Sequence, residues 1–158
     1  MPGSASSHHS SPPQPPQRPG AAGRRAARVF AAVREMARDA PLPLAVRGDC
    51  MAPALREGDR VEIVRARLYW PGDVVAFANA EDRLVLHRLL GYRLAAGRLA
   101  CVTRGDGCAA ADPPLPFSRL LGKTAEAPAL GARLRAFGAL LAVLAQGAAR
   151  RVRRRRRE

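Results

Sequence analysis

WPGDVVAFANAEDRLVLHRLLGY, residues 70–92, is the stretch whose pattern decides the architecture. A Pro-Gly-Asp turn leads into the apolar run 73–78, a polar break follows, and a second run at 84–92 is rich in Val and Leu. β-Branched and aromatic residues suit a pleated, half-buried surface, while Gly, Pro, Asn and Asp supply the turns between strands. The same rhythm extends outward, with further short runs at 44–46, 60–64, 99–103 and 120–126. The gaps leave no room for crossover helices, so the strands are expected to pair antiparallel. The predicted fold class is mainly β: a small antiparallel sheet or barrel over 41–127, with short flanking helices.

The flanks differ in kind. Residues 1–23 are Ser, Pro, Gln and Gly with almost no apolar content, too little to offset the cost of ordering, and they lack the apolar core of a secretory signal. His8 and His9 read as part of that solvated tail. Over 24–40 the residues Val29, Phe30, Val33 and Met36 recur at helical spacing, which predicts a short amphipathic helix ending before Pro41. Over 128–149 a second helix is expected, apolar from Ala136 to Ala149 except for Gln146. It is short for a membrane span of about 20 residues and fits either a helix docked on the domain or one lying in a membrane interface. Residues 150–158, seven arginines among them, read as an unfolded basic tail that would attract an anionic membrane surface.

The chain of 158 residues carries a net charge of +14, enough on its own to suggest nucleic acid or anionic lipid. About +6 of that sits in the terminal tract and the rest is spread thinly, which argues against a nucleic-acid partner. Three cysteines and no disulfide framework favour a reducing compartment, hence a cytoplasmic protein, peripheral to the membrane if its C-terminal helix meets lipid. Cys101 lies in an apolar run and reads as core, whereas Cys108, in a Gly-rich loop, is undecided. Cys101, Cys108 and His87 lack the paired short spacings of a zinc site, and no phosphate-binding loop or nucleotide fingerprint is visible, so neither metal nor cofactor is expected. Nothing in the sequence sets an oligomeric state.

Five segments follow one another: Gly48-Asp49-Cys50-Met51-Ala52-Pro53-Ala54-Leu55, then Gly58-Asp59, then Pro71-Gly72-Asp73-Val74-Val75, then His87-Arg88, then Arg104-Gly105-Asp106 with Asp112 beyond. Together they resemble the ordered boxes of the signal peptidase I and LexA-like superfamily, over residues 44–126. The resemblance implies a peptidase of that β-rich type acting on extended peptides bound along a strand edge. By position Cys50 takes the slot of the family's serine nucleophile, His87 that of the base, and Asp112 or Asp106 that of the carboxylate orienting the base, with Asp112 preferred. Met51 and Pro53 would be structural, and Gly58, Asp59, Gly72, Asp73 and Arg88 belong to turns or their charge partners.

The chemistry stands on its own terms as well. An imidazole accepts a proton from a nearby thiol, and the thiolate attacks a carbonyl. Close pairing with partial burial is expected to favour the thiolate–imidazolium pair at neutral pH. Gly48 lets the backbone turn, and the Cys50 amide is placed to stabilise an oxyanion. Cysteine in place of serine leaves three readings open: a thiol peptidase, a non-catalytic peptide-binding domain, and a redox or modification site. Self-cleavage of the LexA type has a candidate in the Ala22–Gly23 bond, though no room precedes it for a helix-turn-helix domain.

Overall fold

The computed structural model describes residues 21–155. In chain order these form α1 (Ala21–Asp39), β1 (Leu42–Ala45), β2 (Arg60–Val64), β3 (Val74–Ala78), β4 (Leu84–Ala95), β5 (Arg98–Arg104), a 3-10 turn (Phe117–Arg119), β6 (Leu120–Thr124) and α2 (Leu130–Arg155). The six strands make one open antiparallel sheet in the order β1-β2-β6-β3-β4-β5. The mainly β expectation holds as a sheet with two free edges, β1 and β5. The β4–β5 hairpin is longer than its apolar runs because Ala96 and Gly97 both take positive φ, 49° and 74°, the twist a two-residue hairpin turn requires.

Alternation sorts the side chains onto two faces. Val75, Phe77, Leu89 and Cys101 pack with Leu115 and Leu120 on one, joined by Val85. His87 lies there too, its ring edge-on to Phe77 with centroids 5.9 Å apart. On the other face α1 lays Phe30, Val33 and Ala37 against Ile63, Ala76 and Leu121, while α2 lays Ala136 and Leu140 against Leu90 and Val102. Both helices therefore cover the face opposite His87.

The helices correct the sequence reading in three ways. The buried stripe of α1 is Phe30, Val33 and Ala37, while Val29 and Met36 are exposed at 55% and 63%, because the i, i+3, i+7 set points one way only. The helices are not short, at 19 and 26 residues. And α2 does not stop at Ala149 but runs on through the arginine tract to Arg155, where a tail was expected. Arginine is a strong helix former, no Gly or Pro interrupts the ladder there, and positive charge is favoured at a helix C-terminus. Of the expected N-terminal tail, 21–23 form the first turn of α1, and His8 and His9 lie outside the described residues.

The Pro-Gly-Asp turn before β3 binds these layers. Asp73, 1% exposed, accepts from the Trp70 amide at 2.9 Å and from Lys123 Nζ of β6 at 2.9 Å, and faces Arg133 Nη2 of α2 at 3.3 Å. Gly72, at φ 95°, has the backbone of Arg133 so close that a Cβ would lie 2.9 Å from its Cα. Asp73→Asn, which leaves two cations facing a neutral amide, is expected to cost about 1–3 kcal/mol in a urea titration. Unchanged stability would show that α2 and β6 are held by their apolar contacts alone.

Candidate active site

Cys50 sits in the loop joining β1 to β2. The loop is pinched at its neck, where Val46 N donates to Asp59 O at 2.8 Å and Gly58 N to Val46 O at 3.0 Å. Within it Ala52 N donates to Asp49 O at 2.9 Å and Leu55 N to Met51 O at 3.0 Å, and Met51 is fully buried, so its side chain anchors the turn beside Cys50. Gly48 and Gly58 take positive φ at the two ends of the loop, and Pro53 follows a cis peptide bond. Asp59 Oδ2 accepts from Arg56 N at 2.8 Å, a turn-closing role.

His87 stands on β4 with 8% of its surface exposed. Its Nδ1 lies 2.7 Å from Asp112 Oδ2, and the same oxygen accepts from Thr103 Oγ1 at 2.7 Å. A carboxylate only accepts, so Nδ1 carries a proton, and in the neutral imidazole Nε2 is the acceptor. Asp112 is delivered by its own backbone, whose N–H donates to Thr103 O on β5 at 2.8 Å. Asp106, the other acidic candidate, is turned away: its two oxygens take Arg88 Nε at 2.7 Å and Nη2 at 2.5 Å, and Arg88 Nη1 donates to Gly72 O at 2.7 Å. The structure thus brings His87 and Asp112 together and gives Asp106 to Arg88.

What brings the Cys50 loop to this pair is Gly105. A Cβ there would collide with the Cys50 carbonyl oxygen, lie 2.8 Å from Cys108 Sγ and 3.1 Å from His87 Nε2. Gly107 N donates to the same Cys50 oxygen at 3.0 Å, and Cys108 Sγ lies 4.0 Å from it. Two loops and the imidazole converge on a space that only glycine leaves open. Thr103, Gly105 and Cys108 complete the site; in the sequence Gly105 belongs to the fifth segment beside Asp106, Cys108 stands out only as a loop residue, and Thr103 carries no signal beyond its place in a strand.

One expectation is overturned. The Cys50 thiol is pushed up from its ordinary value of 9.0, first by burial and then by Cys108; its own backbone amide lowers it, and Asp112 and Asp49 add smaller raises. Among the described residues no hydrogen bond joins Cys50 Sγ to His87, and the raised thiol disfavours the expected thiolate. Cys101, fully buried, is pushed up to about 11 by burial alone.

Two depressions flank the site. A groove of about 210 Å³ runs between Leu44–Arg47 at the β1 edge and Leu84–Leu86 of β4, with Cys50 and Met51 at its floor. On the other side of His87 a cleft of about 410 Å³ is walled by Phe77, Val85 and the Pro113–Pro116 segment. Among the described residues no group of three His, Cys, Asp or Glu is placed to hold a metal ion, and no helix is long and apolar enough to cross a membrane. No protein-family model and no curated protein matches the sequence.

Two outcomes follow from this geometry. Gly105→Ala is expected to cost about 1–3 kcal/mol by urea titration, since the clash is with backbone that cannot swing aside; a neutral effect would mean the two loops are free to separate. Cys50 is expected to react with iodoacetamide more slowly at neutral pH than an ordinary exposed thiol, its rate still rising above the ordinary thiol range. Removing the neighbouring thiol with Cys108→Ser lowers the Cys50 pKa and speeds that reaction, as peptide mapping by mass spectrometry would show.

Proposed function

We propose that this chain is an endopeptidase of the signal peptidase-like type, with Cys50 as nucleophile, His87 as general base and acid, and Asp112 orienting the imidazole. The observation that carries the reading is the 2.7 Å contact of His87 Nδ1 with Asp112, which leaves Nε2 turned toward the Cys50 loop. The five sequence boxes support it independently. An extended peptide laid in the groove along β1 would pass Cys50 and continue into the cleft beyond His87, pairing through its main chain with the sheet edge.

In the reaction Cys50 Sγ attacks the scissile carbonyl carbon as His87 Nε2 takes the thiol proton. The oxyanion faces the backbone N–H of Cys50. The tetrahedral intermediate collapses to a thioester as His87 returns the proton to the leaving amine. Water, deprotonated by the same nitrogen, then hydrolyses the thioester and restores the thiol. Because Cys50 rests protonated, His87 acts during the attack rather than before it, and contacts loose without substrate are expected to tighten when peptide binds. The natural substrate is a peptide or protein segment, and processing in the cytoplasm is the role this reading favours.

The raised thiol and the missing Cys50–His87 hydrogen bond favour one rival, a peptide-binding domain without catalysis. Self-cleavage fits less well: the Ala22–Gly23 bond lies in the first turn of α1, and a peptidase groove takes extended chain. The test is a degenerate peptide library with products identified by mass spectrometry. Cleavage by the native chain is expected to vanish in Cys50→Ala and His87→Ala and to fall about ten-thousandfold in Asp112→Asn. Peptides that bind native protein and Cys50→Ala equally and are never cut would make the domain a binding module.

A further inference from the structure

α2 has two apolar faces, and the fold uses one. Ala132, Ala136 and Leu140 are buried, the last two against β4 and β5. Around the other side Leu130, Leu134, Phe137, Leu141 and Leu144 stand 72%, 67%, 55%, 55% and 41% exposed. Their spacing of four, three, four and three residues makes them one continuous stripe along the helix. A soluble monomer seldom leaves so long an apolar strip uncovered. At the N-terminal end of the helix Arg133 Nη1 donates to Pro71 O at 3.1 Å, which sets the 58% exposed Trp70 beside the first turn.

We infer that this stripe docks in the plane of an anionic lipid surface, with the arginine tract as its electrostatic partner. Charge selects the occupant. No acidic residue occurs from Leu130 to Arg155, and the same helix runs into the arginines of 150–157. A heptad-like stripe also suits a second copy, but two parallel α2 helices would set arginine tract against arginine tract with no acidic flanking position to relieve them. An antiparallel pair would set each tract near Arg133 and Arg135 of the other copy. Phosphatidylserine-type headgroups offer the missing negative charge, and apolar side chains with a basic end are the combination that holds a helix at the headgroup boundary. The outcome is oriented: because α2 covers the sheet face opposite His87 and Asp112, a chain bound through its stripe turns that pair toward the aqueous side. The inference stands whether or not Cys50 is catalytic.

The experiment is flotation of the full-length protein with vesicles of equal parts phosphatidylcholine and phosphatidylserine, against phosphatidylcholine alone. The native chain is expected to float with the anionic vesicles. The double variant Leu134→Glu, Leu141→Glu, checked for native circular dichroism, is expected to bind at least about tenfold more weakly. The triple variant Arg153→Gln, Arg154→Gln, Arg155→Gln is expected to lose most of the preference for phosphatidylserine. With Trp70→Phe as background, Phe137→Trp should shift its emission to the blue on adding anionic vesicles. A native chain left at the bottom of the gradient overturns the proposal. So does a stripe variant that binds as well as native, which would assign binding to the tract alone. Sedimentation equilibrium showing a dimer that the same double variant dissolves, with no vesicle binding, would give the face to a second copy instead.

Discussion

A carboxylate with 1% of its surface exposed is costly to bury, and Asp73 is the point on which the rest of the molecule is assembled. Its cost is offset by one amide and two cations drawn from different elements: the Trp70 N–H, Lys123 of β6 and Arg133 of α2. Oδ1 has no hydrogen bond and meets only the Arg133 guanidinium, so its compensation is Coulombic. The next link is Gly72, whose carbonyl receives Arg88, and Arg88 in turn holds both oxygens of Asp106. Asp106 anchors the loop that carries Gly105, Cys108 and Asp112. The loop that carries Asp112 is thus tied, through Asp106, Arg88 and the Gly72 carbonyl, to the turn that precedes β3.

That chain explains what the sequence made legible. Turn chemistry is local: Gly-Asp and Pro-Gly-Asp specify their own backbone, so the strands and breaks along 42–124 could be read with errors confined to their ends. Which of Asp106 and Asp112 meets His87 has no local signal, because it depends on Arg88, 18 residues before Asp106, claiming one of them. Thr103 illustrates the opposite case. A Thr in a strand is ordinary, and only the register of β5 against β4 makes it the second donor to Asp112. Helix faces fared worst. In α1 an apolar set broader than one stripe left the inward direction open, and in α2 the eye stops at the arginines although arginine prolongs a helix as well as leucine does.

The division of labour between the faces has a functional consequence. Both helices cover one face, so the other is shaped by a segment with little regular structure, 105–116, bound to β5 at Cys101–Leu115 and by the Asp112 amide. Such a segment is free to carry polar groups and a proline-rich wall that a packed helix would exclude. It also keeps the imidazole almost dry while leaving depressions on both sides. For the proposed reading, rigid sheet beneath and irregular chain above would hold the imidazole in place yet leave a path for extended peptide.

On the proposed mechanism, the raised Cys50 thiol decides when its proton must leave. Thiol peptidases that rest as a thiolate have done the deprotonation beforehand, and the histidine then serves chiefly as acid toward the leaving group. A thiol kept protonated by burial, by Cys108 and by two carboxylates is in the position of a serine hydroxyl: it becomes nucleophilic only when a base takes its proton during attack. If Cys50 is the proposed nucleophile, the Asp112–His87–Thr103 arrangement, with Nδ1 engaged at 2.7 Å, is what such a thiol needs in order to lose its proton. Burial that makes the sulfur a poor resting nucleophile also shields it from indiscriminate reaction. Closing the β1 groove with peptide would bring Nε2 and sulfur together only when a carbonyl is present to be attacked.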